Sequence, residues 1–348
     1  MKSNGSSAAV NAVDSTRKKS LILSGRELMA LKVTPQEWLV DGLLRTGRKR
    51  ASLIVSPPEA GKSSLAKTLA VALAQGRDFL GRKTVQCDVL YWQTEDSAED
   101  MQESLRRLGY DPYRDAGIFV FNGEVEDSTI ATMHQVLADR PTVKLAIIET
   151  MNDLLNFEDN KPHEARRAYQ TFNSELVAKH PNVAFLGLHH KKKRAVDNSG
   201  DGISGSSEIR GRTDAKFYIN VRSDDDPRRI FHTQVRNGRN IEQAYLEINK
   251  ITGEVYLGRT VADERKLGIA KTEENIKQQI IEYFTKHPGK TFRYDCMPFL
   301  IGNNPAKQRA YKELRASGIL KESGKGTKTS PHTYEVAEIS TEELEKAA

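Results

Sequence analysis

The stretch Ser56-Pro57-Pro58-Glu59-Ala60-Gly61-Lys62-Ser63 separates an apolar run, Leu53-Ile54-Val55, from a run in which Leu65, Ala66, Leu69, Ala70, Val71, Leu73 and Ala74 recur at helical spacing. A buried strand, a tight loop and a helix in that order put a strand's C-terminal end against a helix N-terminus. The first N–H groups of a helix have no partner within it, and a glycine lets the backbone close around an anion placed there. Residues Ser56, Pro57, Pro58, Glu59, Ala60, Gly61, Lys62, Ser63 and Ser64 therefore read as a phosphate-binding loop. Lys62 would reach the β- and γ-phosphates of a nucleotide, and the Ser63 hydroxyl would hold Mg²⁺. The usual pattern opens on glycine, whereas this one opens on Ser56. An ordinary strand-to-helix turn with an exposed lysine is the plain alternative.

The remaining apolar runs place further groups at strand ends. Asp88–Trp92 reads as a strand that leads into Gln93, Thr94, Glu95 and Asp96; Gly117–Phe121 is a third, and Val143–Glu149 a fourth with a carboxylate at its C-terminal end. Asn182–Leu188 is a fifth, delivering His189 and His190 and then Lys191, Lys192, Lys193 and Arg194. Helical stretches over Ser97–Leu108, Ser128–Ala138 and Glu164–Lys179 alternate with these strands, which implies an α/β fold with a parallel sheet and crossover helices. In such sheets ligands sit outside the carboxyl ends of the strands, where Gly61, Glu95, Glu149 and His189 fall. Residues 195–213 are rich in Gly, Ser and Asp and read as a loop; four short strands between Ala215 and Leu257 read as an antiparallel extension of the sheet.

With 348 residues the chain exceeds the size of one ordinary core, and a second, smaller domain is expected. Residues 261–272, charged and aperiodic, read as a linker. Beyond it, Glu273–Lys286 and Pro305–Ser317 have amphipathic spacing, and Gly318-Ile319-Leu320 and Thr333–Val336 flank a basic, glycine-containing turn. Helices followed by such a ribbon describe a winged helix-turn-helix over 273–338. Lys290–Ser330 holds nine Lys or Arg against three acids, an excess equal to the whole chain's net charge of +6, so the basic character is local. Lys307, Arg309, Lys312 and Lys325 are the duplex-contact candidates there, while Lys191–Arg194 would track a single strand. A protein-docking module, or a solvated charged loop, is the plain alternative for each.

Cys87 and Cys296 stand apart from each other and from any Cys/His cluster, which suggests neither a zinc site nor an oxidising compartment. Met1–Lys19 lacks the apolar core of a secretory leader, and 1–23 reads as a tail, as does the acidic 339–348. No apolar run approaches ~18 residues, so a cytoplasmic protein with no membrane partner is expected.

Hydrolysis of a bound nucleotide needs a carboxylate to polarise water and another near the metal. Glu95, with Asp96 as its possible substitute, suits the first role; Glu149 suits the second; His189 suits a sensor of the γ-phosphate. Arg236, in Gln234-Val235-Arg236-Asn237-Gly238, competes with Arg210 and Arg212 to supply a guanidinium to a neighbouring subunit's phosphate.

Trp38-Leu39-Val40-Asp41-Gly42-Leu43-Leu44, Gly76-Arg77-Asp78-Phe79-Leu80-Gly81, Val89–Ser97, His189-His190-Lys191, Gly205-Ser206-Ser207 and Arg236-Asn237-Gly238 occur here in that order. In this the chain resembles the RecA-fold ATPases related to the plasmid replicative helicase RepA, and more distantly the DnaB helicases. The resemblance covers most of Ser24–Leu257 and implies a RecA-like ATPase domain over 24–260. It also implies a hexameric ring with ATP sites between subunits, Glu95 as catalytic acid, Arg236 as finger arginine, and movement along single-stranded DNA. Ser56, Glu149 in place of the usual Asp, and Gln234 in place of a Lys depart from that pattern. The expectation is an ATP- and Mg²⁺-dependent DNA motor of a plasmid, phage or integrated element, binding single- and double-stranded DNA beside other replication proteins. An ATP-controlled DNA-binding regulator and a helicase-loader-like interaction protein are the alternatives.

Overall fold

Apolar runs alternate with amphipathic helices along most of the chain, and a computed structural model shows where they go. It describes residues 23–31, 36–94, 96–123, 129–155, 162–190, 211–222 and 226–337. A short hairpin of β1 (Trp38–Val40) and β2 (Leu44–Arg45) precedes the loop strand β3 (Ser52–Ser56). Next come β4 (Asp88–Gln93), β5 (Ile118–Asn122), β6 (Val143–Glu149) and β7 (Ala184–His190), then β8 (Ala215–Val221), β9 (Arg229–Val235), β10 (Ala244–Ile248) and β11 (Val255–Thr260).

Nine of these form one sheet in the order β11-β10-β9-β8-β3-β7-β6-β4-β5. The six strands from β8 to β5 run parallel, and β9, β10 and β11 extend the sheet antiparallel, as the sequence suggested. Parallel strands are covered on both faces and so read as unbroken apolar runs. In β3, Ile54 joins the core that holds Leu65 and Leu69 of the helix Lys62–Gln75, while Leu53 and Val55 join the opposite core, with Tyr169 and Phe172 of the helix Pro162–Glu175. This alternation decides which face each strand-end side chain serves.

The helix Lys62–Gln75 begins at Gly61 (φ 97°) and ends at Gly76 (φ 66°), both left-handed positions that favour glycine. Its partner on the same face, Ala98–Arg107, is capped by the Ser97 hydroxyl, which accepts from the Asp100 N–H.

Residues 261–272, expected as a linker, instead form the first half of one continuous helix, Val261–Lys286, that starts directly after β11. Thr260 caps it by accepting from the Asp263 N–H, and Val261 packs on Ile230 and Tyr245. Between Val261 and Ile276 the helix buries nothing, so its sequence there shows no period. At 26 residues it spans about 39 Å.

Its second half joins a separate small core. Ile276, Ile280 and Phe284 pack with Phe292 and Cys296, with Ala310 and Leu314 of the helix Asn304–Ala316, and with Tyr334. Tyr334 lies on β13 (Thr333–Val336), which pairs antiparallel with β12 (Leu320–Ser323). Cys87 and Cys296 are both free and buried, and burial pushes each thiol up to about 12. Among the described residues no helix is long and apolar enough to cross a membrane.

Candidate active site

At the C-terminal edge of the parallel strands, three neighbours in the sheet, β3, β7 and β6, present their last residues to the start of one helix. Ser56 ends β3 fully buried, its hydroxyl donating to the Pro57 carbonyl at 2.7 Å. Pro58 and Glu59 are exposed, and Glu59 takes a left-handed φ of 60°. Together with Gly61 it curls the backbone back toward the helix, as the loop reading requires. Ala60 is buried beneath the loop, and Lys62, Ser63 and Ser64 form the first turn of the helix, where the N–H groups carry the positive end of its dipole.

Lys62 is buried, and its ammonium lies 3.3 Å from Nδ1 of His190 at the end of β7. The Ser63 hydroxyl donates to Oε1 of Glu149 at the end of β6. Tyr91 on β4 donates its hydroxyl to the other oxygen, Oε2, at 2.7 Å. Glu149 is thus held at both oxygens and almost wholly buried. Burial raises its pKa above the ordinary carboxylate value; the two hydroxyl bonds and Lys67 pull it down, and Asp96 pushes it further up. A hydroxyl and a carboxylate side by side are hard oxygen donors, a set that suits Mg²⁺ completed by phosphate oxygens and water.

Lys67, one turn further along the helix, donates to Asp96 Oδ2 at 2.5 Å and to the Ser104 hydroxyl at 3.3 Å. Gln93, at the end of β4, donates to the Asp96 carbonyl at 3.2 Å. The turn after β4 is thereby fastened to the loop helix on one side and to β4 on the other. Glu95, the expected water-polarising acid, precedes Asp96 in the sequence and lies outside the described residues, as do Lys191–Arg194 and Arg210.

The two histidines divide by strand alternation. His189, the expected sensor, is fully buried on the opposite face, with Tyr169 OH 3.3 Å from its Nδ1. His190 shares the face of Leu186 and Leu188, which pack in the same core as the loop helix, and it is the one that meets Lys62. The structure thus brings His190, and not His189, to the phosphate-loop lysine. Tyr91 and Lys67 were not anticipated; both lie on faces the periodicity marks as buried, where a polar side chain needs a partner.

Arg236 lies at the other end of the sheet. It follows β9, whose Val235 pairs with Ala215 at the start of β8, and it donates to the Gly211 carbonyl at 3.3 Å. The seven residues of β8 put about 20 Å between it and the phosphate-loop edge. Arg212 offers its carbonyl to Asn173 at 3.0 Å at the same end. Beside the phosphate loop a cavity of about 630 Å³ opens, lined by Arg229, Ile248 and Tyr245 among others. Arg229 reaches the Glu59 carbonyl at 3.5 Å, so the cavity wall and the loop are in contact.

Of the duplex-contact candidates, Lys307 is buried and donates to the Met297 carbonyl at 3.3 Å. Arg309 pairs with Glu273 on the preceding helix. Lys307 is thus turned inward, whereas Arg309 stays half exposed in its ion pair and Lys312 and Lys325 are exposed.

A family model described as an AAA domain matches residues 16–196, just over half of the chain, from ahead of the phosphate loop to beyond β7. The chain belongs to the AAA domain family. The matched stretch contains Lys62, Ser63, Glu149 and His190, so the nucleotide-binding character of the AAA domain and the geometry of this edge coincide. Its ATPase class also accords with a mainly parallel α/β sheet around a phosphate-binding loop. Arg236 and everything from β8 onward lie outside the matched part of the AAA domain. No curated protein matches the chain.

Proposed function

We propose that the chain is an ATP-dependent DNA motor, an oligomeric replicative helicase of a plasmid, phage or integrated element. ATP is hydrolysed between subunits, and the energy moves the ring, expected to be a hexamer, along single-stranded DNA. The observation that carries this reading is the convergence of Lys62, Ser63, Glu149 and His190 on one strand edge at the start of one helix. Lys62 binds the β- and γ-phosphates, and Ser63 and Glu149 hold Mg²⁺, which when bound supplies charge neutralisation at the transferring phosphoryl group. Glu95 polarises the attacking water. His190, in contact with Lys62, registers whether the γ-phosphate is present. The cavity beside the loop receives the nucleoside half, with Ile248 and Tyr245 as its apolar wall.

The position of Arg236 supports shared sites. A guanidinium about 20 Å from its own phosphate loop serves a neighbouring copy or none. In the C-terminal unit, two helices and the β12–β13 ribbon have the order of a winged helix-turn-helix. We assign it to DNA, alongside Lys191–Arg194 for the single strand.

The test is strand displacement by the purified protein with ATP and with a non-hydrolysable analogue. Unwinding with ATP alone supports the motor. Protection of one duplex site without unwinding selects the regulator, and nucleotide turnover that responds to a protein partner but not to DNA selects the loader.

A further inference from the structure

The C-terminal unit contains a cavity of about 760 Å³ between the Phe292–Cys296 segment, the helix Asn304–Ala316 and the turn of the ribbon. That volume lies within the ~300–1,000 Å³ range of small-ligand sites. Its inner wall is aromatic. The rings of Phe292 and Tyr311 stack at 4.0 Å and 7°, Tyr334 meets Tyr311 edge-on, and the two tyrosine hydroxyls bond at 2.5 Å. At the mouth stands Tyr294, 76% exposed, with the Arg293 guanidinium 5.8 Å from its ring centre.

The charge around the opening is positive. Arg293 and Lys328 line it, and the one carboxylate among the lining residues, Asp295, turns inward to accept from the Thr291 N–H and hydroxyl at 2.7 and 2.8 Å. A tyrosine of this size left in water beside cations, over an aromatic wall, suits a ligand with flat faces and negative charge. A DNA duplex offers the charge but hides its base faces within the stack. Single strands expose both. On the helix, Lys307 is buried, Arg309 and Arg315 are paired with Glu273 and Glu322, and Lys312 is the exposed cation left for duplex phosphates.

We propose that this cavity takes unstacked bases of a single-stranded nucleic acid, with Tyr294 stacking on a base while Arg293 and Lys328 meet the flanking phosphates. The assignment rests on the reading that the chain works on nucleic acid, and adds a second contact with the single strand outside the ATPase domain. It gives the C-terminal unit a base-holding role in place of groove reading.

The experiment uses the full chain, a short thymidine oligonucleotide carrying one 2-aminopurine, and a blunt duplex hairpin. Binding is followed by anisotropy and by 2-aminopurine emission, with wild type, Tyr294→Ala, Tyr294→Phe and Arg293→Gln. Because Tyr294 is exposed, its truncation leaves the small core intact, and circular dichroism checks this. Tyr294→Ala should weaken single-strand binding roughly tenfold or more and abolish the emission change, with hairpin binding unchanged. Tyr294→Phe should keep both signals, and Arg293→Gln should reduce the salt slope. Equal single-strand affinity for wild type and Tyr294→Ala overturns the assignment while leaving the DNA reading on other residues. Equal losses for strand and hairpin overturn it in favour of duplex contact. Failure of the wild type to bind either nucleic acid removes the DNA reading and this site with it, and binding of a proline-rich peptide in their place would mark the cavity as a protein-docking groove.

Discussion

Lys62 Nζ lies 3.3 Å from His190 Nδ1, joining the first residue of the loop helix to the last residue of β7. His189, one residue earlier, turns its ring to Tyr169 on the other side of the sheet. The two neighbours should therefore respond differently to substitution. Lys62→Ala removes the cation that meets the terminal phosphates, and ATP turnover should fall by about 10²–10³-fold, the loss seen when one preorganised charge-stabilising group is removed. His190→Ala should lower turnover without lowering the melting temperature. His189→Ala should lower the melting temperature through the lost buried contact with Tyr169. Steady-state turnover and thermal melts on the three variants decide the matter; a turnover loss confined to His189→Ala would give the sensing role to that residue.

Glu149 gives a pH signature with opposite signs in two measurements. Burial raises its pKa above the ordinary 4.5. Between 4.5 and the raised value the folded chain holds a proton that the unfolded chain has released, so this group's contribution to stability falls as pH rises through that window. Below 4.5 the difference vanishes. Relative to Glu149→Gln, the nucleotide-free wild type should lose stability as pH rises from 4.5 through the raised value. A metal ion needs the ionised carboxylate, so Mg²⁺-dependent ATP binding should strengthen over the same window in the wild type and stay flat in Glu149→Gln. Calorimetric titrations and denaturant melts at matched pH values test both halves, and a flat wild-type binding profile would take Glu149 out of the metal site.

The ion pair between Lys67 and Asp96 is about nine-tenths buried at the lysine and two-thirds buried at the aspartate. Asp96→Asn leaves the ammonium without its counter-charge and should destabilise the fold by about 2 kcal/mol. That figure sits below the ~3–5 kcal/mol of a fully buried broken pair because Asp96 retains contact with water. Since the pair fastens Asp96, the residue next in sequence to Glu95, turnover should also fall while nucleotide affinity holds. Urea melts and a comparison of kcat with Kd measure the two effects; unchanged kcat would show that the turn needs no such fastening.

Gly187 on β7 has no space for a side chain: an added Cβ would sit 2.2 Å from Met151 Cγ and 2.5 Å from its Sδ. Gly187→Ala should cost about 1–3 kcal/mol as Met151 is displaced. Gly187→Ala combined with Met151→Ala should recover part of that loss in the same melting assay. Additive losses would instead place the strain in the β7 backbone.

Much of this was legible in the sequence because parallel strands buried on both faces spell themselves as apolar runs, and their last polar residues mark the ligand edge. Leu53–Val55 with Gly61-Lys62-Ser63, and Val143–Ile148 with Glu149, are two such spellings, and the structure brings Ser63 and Glu149 together. Strand alternation, applied one step further, would have placed His190 on the face of the phosphate loop, since Leu186, Leu188 and His190 share a face. The spacing of Lys307, Ala310 and Leu314 likewise marks Lys307 as inward-facing. Other features have no local signal. The pairing of Arg309 with Glu273 depends on how two helices pack, and the first half of Val261–Lys286 hides its helicity because nothing between Val261 and Ile276 is buried. Tyr91 carries no mark beyond an apolar run that could equally end in the core, and only the approach of β6 gives its hydroxyl a carboxylate.

Arg236 and Lys62 occupy opposite ends of one protomer's sheet, and shared sites make a prediction that single variants cannot. Arg236→Ala alone should bind ATP with wild-type affinity, since its own phosphate loop is untouched, yet turn it over at least ~10²-fold more slowly if the guanidinium stabilises a neighbour's transition state. Lys62→Ala alone should fail at binding. Mixed in equal amounts, the two inactive proteins can form junctions in which an intact loop from one copy faces an intact Arg236 from another. Turnover should then rise above the sum of the separate rates and depend on protein concentration, because assembly is required. The complementation should vanish when both substitutions are placed on one chain and mixed with either single variant. A mixture no more active than its components would confine the nucleotide site to one protomer and leave Arg236 with a purely structural bond to Gly211.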